Sequence, residues 1–564
     1  MRNKLIFIIL VFLLSCSFGL FAQTDAAATT LEGQFKLIPA IILIVILSIF
    51  VLVGVFNRAR GTKDYWAAGR SISPVGSGMA IASNWMSAAS FLGMAAIMYG
   101  SGYHGLAYVV GWTGGYVLLL VLMAGQIRRY GKYTAPDFIG DRFYSKGLRG
   151  VGALLTIFIS ITYCVGQFAG IGLMFKWILG IDYKLAILIG GVVVLTYTLI
   201  SGMLGVTKNM QIQYIIIIIS FMIPLFIIAR KFGFFWGVPQ VGYGEVVSNV
   251  TDGIAQVKGV VAQNALGHRV GILPQPEYAM PWDAAHGMSA FQWLALCFAL
   301  MLGTAGLPHV IQRFYVVPRA KDARWSVVWG LFFICLLYWS APVYSAFAKI
   351  LSSGPGMGVL AKDAIVVYTA QLADIFPLIV AFLAAGAVSA AFSTVSGLLV
   401  AGASAFSHDL YFNTLKPDAS EKSQMVMARL GTVAMALIVT GIALLNLGLI
   451  ANLVAVAFSL AACTIFPLFL LGIWWSGSNR AGAWAGVIVG ASVSLIAIVY
   501  FVAGNFDTGL PGAAFVAKWL NAWYFAWIGA PLAILANIVV SFITGRDTPE
   551  EIKKFLATKV HNQK

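Results

Sequence analysis

Charged side chains are scarce in this sequence. Only 10% of its 564 residues are Asp, Glu, Lys or Arg, whereas 60% are hydrophobic and the mean hydropathy is +0.89. A chain of this composition has too little polar surface to form a water-soluble globule of any number of domains. The composition therefore excludes a soluble enzyme and predicts an all-α, polytopic protein that lies in a lipid bilayer.

Cysteine and histidine are also rare. The five cysteines all lie in apolar segments, without a C-x-x-C pair, and the six histidines are scattered. We therefore expect free thiols and neither a zinc site nor an organic cofactor. No Ser-His-Asp or paired-carboxylate pattern falls within the apolar segments, so we predict no catalytic residue and no enzymatic activity.

The excess of basic residues, a net charge of +16, is a membrane-orientation signal and not a nucleic-acid signal. The Lys and Arg residues fall in short loops between apolar segments, and they form no single patch with interleaved aromatic residues. Most of them lie on one side if the mature N-terminus is outside. This distribution predicts a multi-pass protein of the bacterial inner membrane, with a periplasmic N-terminus and a cytoplasmic C-terminus.

The first 22 residues resemble a bacterial signal peptide, because Arg2 and Lys4 precede an apolar run that ends in small and polar residues. A lipoprotein-type cleavage before Cys16 and an uncleaved first span are the alternatives. About thirteen transmembrane segments follow. The predicted organisation is given by these ranges: a peripheral span at 37–56, a transport core at 74–473, two peripheral spans within 480–543 and a cytoplasmic tail at 544–564.

The stretch from Ser77 to Tyr103 is long enough to span a bilayer, yet its middle is polar. Ser83, Ser87 and Ser90 recur on one helix face among Gly and Ala. Close helix packing is one explanation, since small residues let backbones approach and serine bonds to its own helix. The other is a helix broken at the midplane, whose free carbonyls and hydroxyls bind an ion and a small solute.

A second polar stripe lies between Ala384 and Tyr411, where Ser393 and Thr394 share one side of the helix with other small residues. Hydroxyls and unpaired carbonyls can hold a monovalent cation without any carboxylate. Small-residue packing is again the alternative. The two stripes together could supply such a set of oxygen ligands.

The spacing of the interrupted segments suggests an internal repeat. The polar stretch belongs to the second span, and the seventh span ends in the glycine-rich run LGTAGLP near Pro308. Interruptions at the head of two five-span blocks are typical of inverted-repeat transporters. We accordingly divide the core into repeat one at 74–229, an outer loop at 231–288 and repeat two at 289–473.

Five sequence motifs, taken in order, resemble the solute:sodium symporter family, and most closely its cation/acetate (monocarboxylate) branch. They are Trp85–Gly93 with Gly100–Tyr103, Tyr133–Phe138, Ser201–Leu204, Gly303–His309 followed by Arg313-Phe, and Ala401–Tyr411. The resemblance implies a leucine-transporter-like five-plus-five inverted repeat and cation-coupled uptake by alternating access. It also implies a sodium site made by the carbonyls of Ser83, Met86 and Ala390 and the hydroxyls of Ser393 and Thr394.

Two departures from the family pattern leave the coupling ion open between sodium and proton. Several relatives have an aspartate in the broken first core helix, where this chain has Trp85. Relatives also have Thr-Asp where this chain has Asn209-Met210. Some relatives work beside a small membrane partner subunit, so the resemblance allows one here as well.

The absence of Asp and Glu from the span interiors favours an anionic solute over a cation or an amino acid. We therefore predict symport of a small organic anion such as acetate or another short monocarboxylate. A transporter-like sensor or receptor, or a symporter of this family for a different solute, is the alternative. The candidate substrate-binding residues are Asn84, Ser87, Ser90, Met94, Gly303 and Thr304.

Overall fold

The computed structural model describes residues 36–234, 238–254, 256–257, 260–261, 274–285, 287–352, 362–445, 450–505, 512–545 and 550–561. The predicted signal peptide lies outside the described residues. Twenty-two α-helices and one two-stranded sheet are described. In chain order they are α1 Leu37–Phe56, α2 Thr62–Ala67, α3 Pro74–Trp85, α4 Met94–Ser101, α5 Leu106–Leu118, α6 Ala124–Tyr130, α7 Ala135–Arg142, α8 Lys146–Leu179, α9 Tyr183–Lys231, α10 Pro239–Gly242, α11 Gly244–Asp252, β1 Gln256–Val257, β2 Val260–Val261, α12 Ala290–Gly306, α13 Pro308–Gln312, α14 Ala320–Leu351, α15 Ile365–Leu372, α16 Pro377–Ser404, α17 Glu421–Ala443, α18 Ile450–Trp474, α19 Arg480–Asn505, α20 Ala513–Trp519, α21 Ala526–Ile543 and α22 Glu550–Phe555.

The membrane-spanning segments agree with an all-α polytopic protein. Ten helices of the described residues are long and apolar enough to cross a bilayer, or eleven if the bent pair α12 and α13 forms one span. Two further segments follow from turns inside the long helical stretches. The stretch that contains α4 to α6 turns back at Gly102, and α9 turns back at Gly202, which separates the shorter apolar helix Tyr183–Leu199. Eleven and two give the thirteen predicted segments.

The turn at Gly102 needs glycine. Its φ is 56° and its ψ is −138°, and an added Cβ would lie 2.2 Å from the carbonyl oxygen of Tyr278. Any other residue would be strained in this backbone conformation, and its side chain would collide with the backbone of Tyr278. After the turn, α5 packs mainly against α12, and the ring of its Trp112 lies 6.3 Å from the ring of Trp85 at the end of α3.

The turn at Gly202 is built in the same way. Its φ is 57° and its ψ is −162°, and an added Cβ would lie 2.7 Å from the ring of Tyr65. Residues on both arms of this hairpin contact Phe50 of α1. The ring of Tyr197 lies 6.5 Å from the ring of Phe50, and Asn209 Nδ2 donates to the Phe50 carbonyl at 2.9 Å.

The α16 helix lies at the centre of the bundle. Within its most apolar stretch, 83% of the residues are buried in the protein, compared with 33% for α1 and 33% for α21. It packs against α8, α9 and α3. The apolar faces of α1 and α21 are therefore left for lipid, whereas the small residues of α16 let several helices approach closely.

The C-terminal segment, predicted above as a cytoplasmic tail at 544–564, is described over residues 550–561. This part is helical and packs against the bundle, with Val560 fully buried. The ring nitrogen His561 Nε2 lies 3.0 Å from the carbonyl oxygen of Ile473. The apolar side chains Ile552, Leu556 and Val560 of this segment are thus buried against protein. We call this end of the bundle the tail-side face.

Candidate functional site

The polar stretch forms a helix that breaks at mid-length. The α3 helix ends at Trp85, and Met86 has a non-helical ψ of 64°. Directly beyond the break, the backbone amides donate to acceptors other than the carbonyl four residues earlier in the chain. Ser87 N donates to the Trp85 carbonyl at 2.7 Å, and Ala88 N donates to Gln167 Oε1 at 2.7 Å.

These redirected amides release the carbonyls that they would bond in an intact helix, four residues earlier in the chain. The carbonyls of Ser83 and Asn84 lose their helical partners in this way. The amide of Ser90 donates to the Ser87 carbonyl at 3.0 Å, which likewise releases Met86. The broken-helix interpretation is therefore the one that the structure supports.

Hydroxyl groups of α16 bind two of the released carbonyls. Ser393 Oγ donates to the Ser83 carbonyl at 2.6 Å and lies 2.8 Å from the Ala390 carbonyl. Thr394 Oγ1 donates to the Asn84 carbonyl at 2.9 Å and lies 3.2 Å from the Ala390 carbonyl. Both side chains are fully buried. Two hydroxyls and three carbonyls thus meet between α3 and α16, and we call this group the oxygen cage.

The oxygen cage contains four of the five residues predicted for the cation, namely Ser83, Ala390, Ser393 and Thr394. The structure adds the carbonyl of Asn84, which the sequence analysis gave to the solute. The fifth predicted residue, Met86, lies at the break itself. Neutral oxygens of this kind suit a weakly held monovalent cation, because the ion can shed its water without being trapped.

Aromatic side chains form a second feature beside the break. The ring of Trp85 lies 4.8 Å from that of Tyr116 and 5.4 Å from that of Phe458. Tyr338 stacks on a neighbouring tryptophan, and its hydroxyl lies 2.9 Å from Ser90 Oγ. Trp85, which the family resemblance places where several relatives have an aspartate, therefore forms one wall of a buried aromatic cluster.

Arg313 is a buried cation beside the break. The Arg313 residue is only 1% exposed, and its NH1 donates to Thr207 Oγ1 at 3.1 Å. Its Nε and NH2 have no hydrogen-bond partner among the residues that the structure describes, and no carboxylate there pairs with it. The buried Oδ1 of Asn84 also has no partner in the described part of the chain.

Gly397 of α16 lies between these groups. An added Cβ at Gly397 would lie 2.1 Å from Asn84 Oδ1 and 3.0 Å from Arg313 NH2. The glycine therefore keeps the amide of Asn84 and the guanidinium group close to each other. We call the group formed by Asn84, Gly397 and Arg313 the arginine slot.

The six predicted substrate residues are placed differently from one another. Asn84 lies at both the oxygen cage and the arginine slot, and Ser90 bonds to Tyr338 in the aromatic cluster. Ser87 accepts from the Ser90 amide, and Met94 is fully buried.

The other two predicted substrate residues contribute to helix packing. An added Cβ at Gly303 would lie 2.4 Å from the Phe458 carbonyl oxygen. Thr304 donates to the Leu300 carbonyl at 2.7 Å, within its own helix. No local pattern in the sequence separates these packing residues from Asn84.

Three site features were missed from the sequence. Gln167 supports the break from α8, and a lone glutamine in an apolar span was the available signal. The aromatic cluster was missed because its rings come from spans that are far apart in the sequence. Arg313 was part of a family motif, but its lack of a carboxylate partner depends on the folded structure.

A buried ionic cluster lies towards the tail-side face. His408 Nε2 lies 3.0 Å from Asp137 Oδ2, and Thr134 Oγ1 donates to Asp409 Oδ1 at 3.1 Å. Arg149 NH2 lies 3.9 Å from Asp137. Burial acts to raise the pKa of the Asp137 carboxyl, but the attraction of the histidine and of nearby cations outweighs it and lowers the pKa to about 2. The charged form of the Asp137 carboxyl is therefore favoured by its neighbours in this cluster.

Broken helices, a central polar helix and a neutral oxygen cage define a membrane transporter of the leucine-transporter-like fold. A model of the sodium:solute symporter family matches residues 65–490. The chain belongs to this family. It is a multi-pass, cation-coupled symporter and not an enzyme.

Relatives and solved structures agree with this assignment. An uncharacterized symporter of Cupriavidus necator is 30% identical, and the match covers 94% of each chain. The uncharacterized symporter YwcA of Bacillus subtilis is 33% identical, with 81% of this chain and 84% of the relative covered. A sodium-coupled sialic acid symporter, solved in a substrate-bound outward-open state, has the same fold with a TM-score of 0.70. Its identity is 17%, over 90% of this chain and 98% of that one.

Proposed function

We propose that this protein is a sodium-coupled symporter that takes up a short monocarboxylate, such as acetate, by alternating access. The observation that carries the anionic solute is Arg313, a fully buried guanidinium group with two free donors and no carboxylate partner in the described part of the chain. A buried cation without a counter-charge is costly, and a carboxylate that binds two guanidinium nitrogens would relieve that cost.

The arginine slot favours a small solute. An added Cβ at Gly397 would already collide with Asn84 and Arg313, so the surroundings of these two groups are closely packed. The side-chain amide of Asn84 can turn its Nδ2 towards a carboxylate, because amide orientation adapts to its partners. A carboxylate with a short apolar end, packed near the aromatic cluster, suits such a slot.

Sodium is supported as the coupling ion by the oxygen cage, which contains no titratable group. The cage and the slot share one residue: the carbonyl of Asn84 belongs to the cage, and its side chain borders the slot. A cation that fixes the Asn84 backbone would thereby orient the Asn84 side chain for the anion. Binding of either solute would then strengthen binding of the other, which symport requires.

The remaining parts of the proposal concern topology. We place the transport core at residues 74–473 as two inverted repeats, with an outward N-terminus and a cytoplasmic C-terminus in the bacterial inner membrane. The distribution of Lys and Arg among the short loops supports this orientation.

Uptake of radiolabelled acetate into proteoliposomes tests the function. The purified single chain is compared under an inward sodium gradient, a matched proton gradient and no gradient. We expect uptake only with sodium. Uptake with protons alone would contradict sodium coupling. Uptake of a sugar or proline in place of acetate, propionate, pyruvate and lactate would contradict the monocarboxylate. Activity that needs a co-expressed membrane protein would reveal a partner subunit.

Two variants test the role of Arg313. Arg313→Gln should abolish acetate-dependent thermal stabilisation of the purified protein but keep the stabilisation by sodium, which shows that the oxygen cage is intact. Arg313→Lys keeps the charge and should retain weak acetate binding, because lysine cannot form the two-pronged contact. Unchanged acetate binding in Arg313→Gln would refute the arginine slot.

A further inference from the structure

A cavity of about 570 Å³ opens at the tail-side face, away from the oxygen cage and the arginine slot. It lies where the chain around α7 meets the start of α8 and the C-terminal helix. Its charged lining residues are Lys132, Lys146, Arg149, Lys559 and Asp141. We call this cavity the basic pocket.

The single carboxylate of the basic pocket is already in use. Asp141 pairs with Lys132 at 2.5 Å and with Arg149, and it accepts from Tyr130 Oη at 2.7 Å. Lys146 forms no ion pair with any residue in the described ranges, and neither does Lys559. The pocket therefore has a positive charge that its own acid does not balance.

Hydrogen-bond donors add to this charge. The 34-residue helix α8 begins at the pocket. The backbone amides of its first turn have no acceptor within the helix. One of them, Leu148 N, donates to Oγ of the preceding residue Ser145 at 3.1 Å. Arg149 Nε and Asn413 Nδ2 are buried donors without a partner in the described part of the chain. These backbone and side-chain donors can all bind a negatively charged acceptor.

We propose that the basic pocket binds the phosphate group of an organic phosphate and that this ligand fastens the C-terminal helix to the start of α8. A doubly charged phosphate offers several strong acceptor oxygens, which suits two unpaired lysines and a helix N-terminus. The volume exceeds what inorganic phosphate needs, and Phe555 and Tyr144 line the rest of the pocket for an organic part. Since Phe555 and Lys559 belong to the C-terminal segment, the ligand holds that segment in place.

Pyrophosphate is a suitable probe for this site. The full chain is placed in nanodiscs of zwitterionic lipid, and its thermal unfolding is followed as pyrophosphate replaces chloride at constant sodium and ionic strength. We expect a rise in the unfolding midpoint, together with slower tryptic cleavage after Lys553 and Lys554 in the tail. A midpoint and a cleavage rate unchanged by pyrophosphate would refute the site.

The double variant Lys146→Gln/Lys559→Gln should weaken the apparent pyrophosphate affinity at least tenfold. The matched control Lys553→Gln/Lys554→Gln removes the same charge from exposed tail positions and should bind like the wild type. Equal loss in both variants would show general attraction to the tail and overturn the proposal. Sodium and acetate binding should be unchanged in both variants, so this result is independent of the transport assays.

The source of the phosphate is found by varying the lipid. If phosphatidic acid, a lipid with a phosphate monoester headgroup, competes in the nanodiscs with pyrophosphate in the wild type, and the Lys146→Gln/Lys559→Gln variant abolishes the effect, the natural ligand is a lipid headgroup. If the pyrophosphate effect is the same in both lipids, the ligand is a soluble phosphate compound. Both results support the proposal.

Discussion

The oxygen cage predicts the effect of removing its two hydroxyls. In the double variant Ser393→Ala/Thr394→Val, the cage loses two of its five oxygen groups while the shape of residue 394 is kept. A hydrogen bond or ligand contact to a charged group contributes about 1.5–3 kcal/mol. At the lower end of this range, losing both contacts should cost about 3 kcal/mol, or about half of that if a water molecule replaces one ligand. Since 1.4 kcal/mol corresponds to a factor of ten, sodium affinity should fall about 10- to 100-fold.

Sodium-dependent thermal stabilisation measures this affinity without any assumption about the transported solute. A ligand that binds the folded state alone raises stability according to its concentration relative to its Kd. The purified variant is titrated with sodium chloride against choline chloride at constant ionic strength. The midpoint of the sodium effect should shift to at least tenfold higher concentration.

Ser389→Ala is the matched control for this experiment. Ser389 lies on the same helix and is equally buried, but its hydroxyl bonds to the Ala385 carbonyl of its own helix at 2.9 Å. It should leave the sodium titration unchanged. A sodium midpoint within twofold of the wild type in the double variant would place the cation elsewhere and refute the cage.

Further predictions concern stability. Gln167→Leu should lower the free energy of unfolding by about 1–3 kcal/mol, because it leaves the buried amide of Ala88 at the helix break without its acceptor. Thermal unfolding measures this loss. Gly202→Ala should reduce the yield of folded protein, since its φ of 57° and the adjacent ring exclude a Cβ, and size-exclusion chromatography would show this; normal yield would contradict the turn. Asp137→Asn removes the counter-charge of His408 and should cost about 3–5 kcal/mol. In the wild type, the pKa of Asp137 is lowered from 3.8 to about 2, so its stabilising contribution is complete above pH 4 and is lost only as the pH falls through 2. At acidic pH, replacement of Asp137 by Asn should therefore remove the fall of the unfolding midpoint that protonation of this carboxyl causes.

Local patterns in the sequence predicted the parts of the site that depend on local backbone structure. The serines around Ser83 and the pair Ser393 and Thr394 are polar groups at bilayer depth, and such groups need protein partners wherever they lie. Hydropathy similarly predicted the thirteen segments, because every span must satisfy its own backbone.

Features that join distant parts of the chain could not be read from the sequence. Gln167 meets the broken helix from 79 residues away in the chain, and no periodicity connects the two. That no carboxylate among the described residues pairs with Arg313 is a property of all its neighbours together. The docking of the tail depends on the surface it meets, since an amphipathic helix pattern is the same for a protein surface and for a solvated segment.

The hydroxyl bonds of Ser393 and Thr394 have a consequence for the return step of the transport cycle. Hydrogen bonds from these two hydroxyls join α16 to the broken helix. Under the proposed function, a sodium ion in the oxygen cage would turn both hydroxyl protons away from the carbonyls that accept them. The two helices would then be joined by hydrogen bonds without sodium and by the cation with it. A carrier that stays joined in both conditions can reorient without its cargo, whereas partial loading leaves carbonyls unpaired and is disfavoured. Strict coupling can therefore arise from two ordinary hydroxyl groups.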